Sequence, residues 1–139
     1  MKQIQKIAVI GGGGRTGQYI VDQLLEKGYH IRLLLRHPES FPFSNPLIEI
    51  IKGDVLDTEV VTILLNGCDA VVSTVGQRKG EPLVASVATE NILHGIENQS
   101  GSSTSIRYIL LAGLNIDTPF DRKSPETQKA TPFISTHPK

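Results

Sequence analysis

The chain has 139 residues, 39% of them hydrophobic but only 5% aromatic and none tryptophan, which suits one aliphatic core and excludes a disordered chain. Fourteen basic residues balance fourteen acidic ones, so no field of one sign favours nucleic acid or a membrane surface as partner. The single cysteine, Cys68, excludes an internal disulfide and a cysteine-paired zinc site, and a cytoplasmic location is expected.

In chain order the pattern alternates strand and helix. Residues 6–10, KIAVI, form a short β-branched run that predicts a buried strand, too short for a signal-peptide core or a membrane span. Four glycines follow, then a helix over 15–27 with Ile20, Val21, Leu24 and Leu25 on one side. Gly28 suits the left-handed position that closes it. HIRLLLR, 30–36, predicts the second strand; Pro38, Pro42 and Pro46 leave 37–47 as a loop with at most one short helix.

IEIIK, 48–52, predicts a third strand ended by Gly53-Asp54. Asp57 or Thr58 can cap a helix through 65, with Val60, Ile63 and Leu64 inward and Asn66-Gly67 as its stop. AVVSTV, 70–75, predicts a fourth strand closed by Gly76. Pro82 can open the next helix, which runs to about Asn98 and buries Val84, Ala88 and Ile92. After a polar connection, RYILLA, 107–112, predicts the fifth strand. Five strands this rich in Val, Ile and Leu predict a parallel sheet covered on both faces, hence a doubly wound α/β fold. Residues 1–114 form that domain; 115–139 are a polar, proline-rich tail or the start of a substrate segment, and Ser124-Pro125-Glu126 can start a short helix.

The glycine run lies between a strand and a helix, where a dinucleotide fingerprint belongs. Two frames fit: Gly12-x-Gly14-x-x-Gly17 and Gly11-x-x-Gly14-x-x-Gly17. The second puts Gly11 in the tight turn, lets the backbone at Gly14 approach a pyrophosphate, and lets the helix pack on its strand at Gly17. Free N–H groups near Arg15 and Thr16 would face the anion. A carboxylate at the end of the second strand would select NAD through the ribose. Here that strand ends Leu35-Arg36-His37, and a guanidinium suits a 2′-phosphate. Arg15 can reach the same group. Two further turns, Asp54-Val55 and Ser73-Thr74-Val75-Gly76, stand at carboxyl ends of strands, where ligands of open α/β sheets bind.

Taken together, VIGGGGRTG, LLLRHPE, KGDVLD, CDAVVSTVG and RYILLAG resemble the atypical short-chain dehydrogenase/reductase group, which includes the NmrA-like and biliverdin-reductase-B-like (flavin reductase) types. The resemblance covers residues 6 to about 114. It implies an NADP(H)-binding Rossmann domain, with NAD(H) the less favoured cofactor. Gly11, Gly14, Arg15, Thr16 and Gly17 would lie at the phosphates, Arg36 at the 2′-phosphate, and Asp54 and Val55 beside the adenine. Ser73, Thr74, Val75 and Gly76 would lie along the nicotinamide side. The implied function is an NADPH-dependent oxidoreductase acting on a small carbonyl, quinone-like or flavin/tetrapyrrole-like acceptor; the alternative is a non-catalytic NADP-sensing regulator with a protein partner.

Typical members use a Tyr-x-x-x-Lys pair, the lysine lowering the pKa of the tyrosine. Four residues after Tyr19, Tyr29 and Tyr108 stand Gln23, Leu33 and Ala112, so the pair is absent, and Ala112 also takes the place expected of a serine. No catalytic residue is assigned. Relatives of this group run longer, so a C-terminally truncated fold is expected. The four histidines show no metal-ligand spacing, and neither a P-loop nor a GxSxG elbow is present.

Overall fold

The computed structural model describes residues 3–42, 44–76, 80, 81, 83–99, 105–111 and 125. Five strands and three helices alternate along them: β1 (Lys6–Ile10), α1 (Arg15–Glu26), β2 (His30–Leu35), β3 (Ile48–Lys52), α2 (Thr58–Leu65), β4 (Ala70–Ser73), α3 (Val84–Glu97) and β5 (Arg107–Leu110). A single 3₁₀ turn, Pro38–Ser40, interrupts the proline-rich loop. The strands form one parallel sheet in the order β3-β2-β1-β4-β5. The order reverses between β1 and β4, so the sheet is doubly wound and its switch point lies at the carboxyl end of β1. Right-handed crossovers on either side of that point send α1 to one face and α2 with α3 to the other.

Packing follows the strand alternation. Ile7, Val9, Ile31, Leu33, Leu35, Ala70 and Val72 face α1 and enclose Val21. Ala8, Ile10, Leu34 and Val71 face the other way and pack with Val61, Leu64, Leu65, Ala88 and Ile92 of α2 and α3. Each fully buried Leu or Ile contributes roughly 1.5–3 kcal/mol relative to exposure, so these two layers supply most of what opposes chain entropy. The helices α2 and α3 approach closely at Gly95, where an added Cβ would stand 2.7 Å from Leu65 Cδ1.

Several details depart from the sequence reading. Ile63 is 58% exposed rather than inward. The buried positions of α2 are Val61, Leu64 and Leu65, an i, i+3, i+4 stripe whose centre lies nearly opposite Ile63. The third helix begins at Val84 rather than at Pro82, because Leu83 takes a left-handed conformation, φ 64°, that no helix continues through; Pro82 itself lies outside the described residues. Coverage of the sheet is complete only at its centre. The row Ile50–Leu33–Val9–Val72–Ile109 lies on the α1 face, and its two ends, Ile50 and Ile109, are 41% and 49% exposed. Among the described residues one helix, α1, packs on that face, over its middle strands.

Strand ends fall short of the predicted runs, β2 closing at Leu35 rather than Arg36 and β4 at Ser73 rather than Val75. Asp57 caps α2, its Oδ1 accepting from Glu59 N at 3.0 Å and Val60 N at 3.4 Å. Gly28 and Gly67 take positive φ directly after α1 and α2. The fifth strand ends at Leu110, and Ala112 and the predicted tail lie outside the described residues apart from Pro125, which has helical backbone. No helix among the described residues is long and apolar enough to cross a membrane.

Candidate functional site

At the carboxyl ends of β1, β2, β3 and β4 the chain makes four turns, and between them lies a cleft of about 410 Å³. Its wall takes Gly11, Gly13 and Gly14 from the first turn, Arg36, His37 and Ser40 from the second, Gly53 and Val55 after β3, and Thr74, Val75 and Gly76 after β4. This is the location that the switch point of an open α/β sheet dictates.

The glycine turn is built by contacts that a side chain would destroy. Gly11 has φ +85°, and a Cβ there would meet Thr74 Oγ1 at 2.5 Å. Thr74 locks the turn to β4: its N donates to Ile10 O at 2.9 Å and its Oγ1 to Gly11 O at 3.1 Å. Gly17, inside α1, is pressed against the same turn, and an added Cβ would collide with Gly11 O and lie 2.5 Å from Gly12 Cα. Gly14 differs. Its nearest obstacle would be Gly11 O at 3.5 Å, ordinary contact, so the space in front of it is not filled by protein. A Cβ on Gly12 would collide with Leu33 Cδ1, so the packing asks for glycine at the first position of either frame, and of the two Gly11 alone has a positive φ.

Gly14 is also the N-cap of α1, with no side-chain cap bond and no acidic residue in the first turn. Helix geometry leaves the first N–H groups without intrahelical acceptors, and the dipole makes that end electropositive. Most helices answer this with a Ser, Asp or Glu. Here the first two helical residues are Arg15 and Thr16, both exposed. Water can satisfy the N–H groups of so exposed an end, and an anion can take its place. Gln18 steadies the loop, its Nε2 donating to Gly13 O at 3.0 Å.

The structure brings Gly11, Gly14, Arg36, Val55, Thr74, Val75 and Gly76 onto one wall. Arg15, Thr16 and Gly17 adjoin it through the first turn of α1. Ser73 is buried, 1% exposed, at the end of β4, with its Oγ accepting from Val75 N at 3.5 Å. Asp54 forms a turn, Oδ1 accepting from Leu56 N at 3.1 Å, and it is Val55 that reaches the cleft. Sequence reasoning missed His37, Ser40, Gly53 and the support given by Asn91, whose Nδ2 donates to Val55 O at 2.9 Å. The first three follow directly after strands two and three, a position that signals their proximity; Asn91 carries no such signal.

Other chemistry has little to stand on. Cys68 is buried, its Sγ donating to Leu64 O at 3.3 Å, and burial pushes the thiol pKa up, the reverse of an activated nucleophile. Among the described residues no three His, Cys, Asp or Glu side chains come together as a metal site.

Residues 11–135 match the family model described as NAD(P)H-binding. A 3β-hydroxysteroid dehydrogenase/Δ5→4-isomerase of Mycobacterium tuberculosis is 27% identical over 130 residues, covering 82% of this chain and 35% of that protein. The chain therefore spans about a third of the length of that relative. Among solved structures, the oxidoreductase ylbE of Lactococcus lactis superposes with a TM-score of 0.74 at 21% identity over 93% of this chain and 57% of that one. A mutant uronate dehydrogenase of Agrobacterium tumefaciens, complexed with NAD, gives 0.62 at 20% identity over 76% of this chain and 40% of that one.

Proposed function

The chain belongs to the NAD(P)H-binding family of oxidoreductase-type Rossmann proteins, and from that premise we propose that it is the cofactor-holding domain of an NADPH-dependent oxidoreductase. The residues of the cleft fit a dinucleotide: a Cβ on Gly14 would project toward unfilled space, and one on Gly76 would meet nothing within 4 Å. The N–H groups at Gly14, Arg15 and Thr16 would hold the pyrophosphate, and Val55 would lie beside the adenine. When bound, the nicotinamide supplies the hydride. The protein's share is to orient it along Thr74, Val75 and Gly76 against a small carbonyl, quinone-like or flavin/tetrapyrrole-like acceptor.

The observation that carries NADP over NAD is Arg36. It stands on the cleft wall just beyond β2, and no carboxylate is among the described residues that line the cleft. A charge-assisted bond to a 2′-phosphate is worth roughly 1.5–3 kcal/mol, about ten- to a hundredfold in affinity. Titration should therefore give a Kd for NADPH at least about tenfold below that for NADH. The Arg36→Ala variant should lose that margin and leave NADH unchanged. Equal affinities in the unaltered chain would sink the assignment. Oxidation of NADPH followed against a panel of quinones, flavins and aldehydes tests the acceptor class. Tight NADPH binding with no turnover on any of them would favour the dinucleotide-sensing alternative.

A further inference from the structure

Arg36 already has an anionic partner in the protein. Its Nη1 lies 3.8 Å from Oε1 of Glu81, a residue of the segment between β4 and α3. The pair therefore ties the end of β2 to the segment between β4 and α3. We infer that Glu81 is a specificity-determining residue that competes with the 2′-phosphate of NADP for the Arg36 guanidinium. The inference rests on the reading of Arg36 given above.

First, Arg36 offers a planar fork of donors, and a carboxylate and a phosphate seek the same face of it. The Glu81 carboxylate stands on the Nη1 side of that fork, so a phosphate brought to the same side meets its negative charge. Second, the pair is weak enough to exchange. Both side chains are 45% exposed and the separation exceeds that of a direct hydrogen bond, so solvent and salt screen it. Third, the two anions are unequal. A phosphate monoester carries about −1.5 to −2 charge at neutral pH against −1 for a carboxylate, so the phosphate wins and Glu81 must turn away or repel it. An NAD ribose asks for no such exchange. Glu81 thus lowers the affinity for NADPH and leaves that for NADH alone, which narrows the preference set by Arg36.

The test measures Kd for NADPH and NADH by fluorescence titration at low and at 0.5 M salt. The chains compared are the unaltered protein, Glu81→Gln, Glu81→Lys and Arg36→Ala, each checked for its fold by circular dichroism. Relief of an exposed ion pair predicts about a two- to fivefold gain in NADPH affinity for Glu81→Gln. Glu81→Lys should gain more, NADH should not move, and both gains should shrink at high salt. If Arg36→Ala weakens NADPH but neither Glu81 variant strengthens it, or if both cofactors shift together, the role of Glu81 falls and that of Arg36 stands. Weaker NADH binding in Glu81→Gln would make Glu81 a ribose acceptor instead and overturn the inference. No effect of Arg36→Ala on NADPH would bring down both readings.

Discussion

The two ends of the sheet are built on opposite principles. Toward the amino ends of the strands, Lys6, Arg32, Glu49 and Asp69 all have partners. Arg32, with a side chain only 13% exposed, donates from Nε to Glu49 Oε2 at 2.9 Å, and its Nη1 donates to the carbonyls of Ile63 and Leu64 at 3.2 Å each and to that of Asn66. It thereby caps the carboxyl end of α2. Lys6 adds its Nζ to the same Glu49 oxygen at 3.2 Å, and Asp69 Oδ2 accepts from the backbone N of Gln5 at 2.9 Å and of Lys6 at 3.0 Å. At the carboxyl ends the chain does the reverse. It sets a helix N-terminus without a side-chain cap, glycines in place of side chains, and an arginine whose ion pair, among the described residues, is with an exposed carboxylate 3.8 Å away. The lesson is that one end is finished by the fold and the other is left to be finished by a ligand. Substitutions should separate the two: stability should depend on the first end and affinity on the second.

The largest effect should come from the residue that serves both. Gly17→Val would place atoms against the backbone of Gly11 and Gly12, neither of which is a flexible side chain that can move aside. Overpacking of this kind costs about 3 kcal/mol or more. A urea midpoint should fall accordingly, and dinucleotide affinity should be lost with it. Full stability in this variant would show that the turn and helix are less tightly joined than their backbone contacts imply.

Gly14→Val should break the link between the two. The backbone at Gly14 has φ −80°, which any residue adopts, and its Cβ would make only ordinary contact with the protein. Stability should change by less than about 1 kcal/mol, the range of ordinary surface changes. Affinity for NADPH should fall by roughly a hundredfold or more, as the side chain fills the approach to the pyrophosphate. Circular dichroism and titration on one sample decide it. Retained binding would move the phosphate site away from Gly14.

Arg32→Met makes the converse case. The aliphatic stem is kept, so the loss is that of the charged head. Charge-assisted bonds are worth about 1.5–3 kcal/mol, and here carbonyls of α2 and Glu49 lose their partner together. A stability loss of about 2 kcal/mol with unchanged NADPH affinity is expected. A fall in affinity of more than a few-fold in the folded variant would mean that the two ends are coupled, and the contrast would fail.

The two ends were also unequally legible in the sequence. The open end announces itself locally: a buried strand, the glycine spacing, a helix, and Arg36 one residue past the next strand. Those signals are contiguous, and the residues they named at 11, 14, 36 and 74–76 do line one cleft. The closed end is assembled from distant residues, Lys6, Arg32, Glu49 and Asp69, and nothing near Arg32 in the chain marks it as a helix cap. The same distinction explains the misplaced residues. Ile63 looked inward because α2 is apolar on several sides, and only the docking of the helix selects the stripe at 61, 64 and 65. Asp54 was a candidate for both a turn and a site; its Oδ1 bond to Leu56 N makes the turn. Apolar strands predict a sheet covered on both faces, whereas Ile50 and Ile109, on its two edge strands, are exposed.

The smallest effect is the most specific to the closed end. Hydrogen bonds from Arg32, then from Lys6, favour the charged form of Glu49 and hold its carboxyl below the usual value of 4.5. The folded state thus binds its proton less readily than the unfolded chain. Between the two pKa values the unfolded state carries more protons, so stability rises with pH. The contribution is fully present above about pH 4.5 and is lost as pH falls through the lower, folded value. Glu49 is half-exposed, its side chain 52% accessible, so solvent screening keeps the contribution below about 1 kcal/mol. Urea midpoints at pH 7 and pH 3.5 for the unaltered chain and Glu49→Gln should therefore differ in one respect: the variant should lose less stability on acidification. The gap between the two chains at pH 7 should narrow in 0.5 M salt, where an exposed pair is screened. Affinity for NADPH at pH 7 should be the same in both. If the two chains acidify in parallel, Glu49 is not held by Arg32 and Lys6 in solution, and the closed end owes its stability to packing and to the helix cap alone.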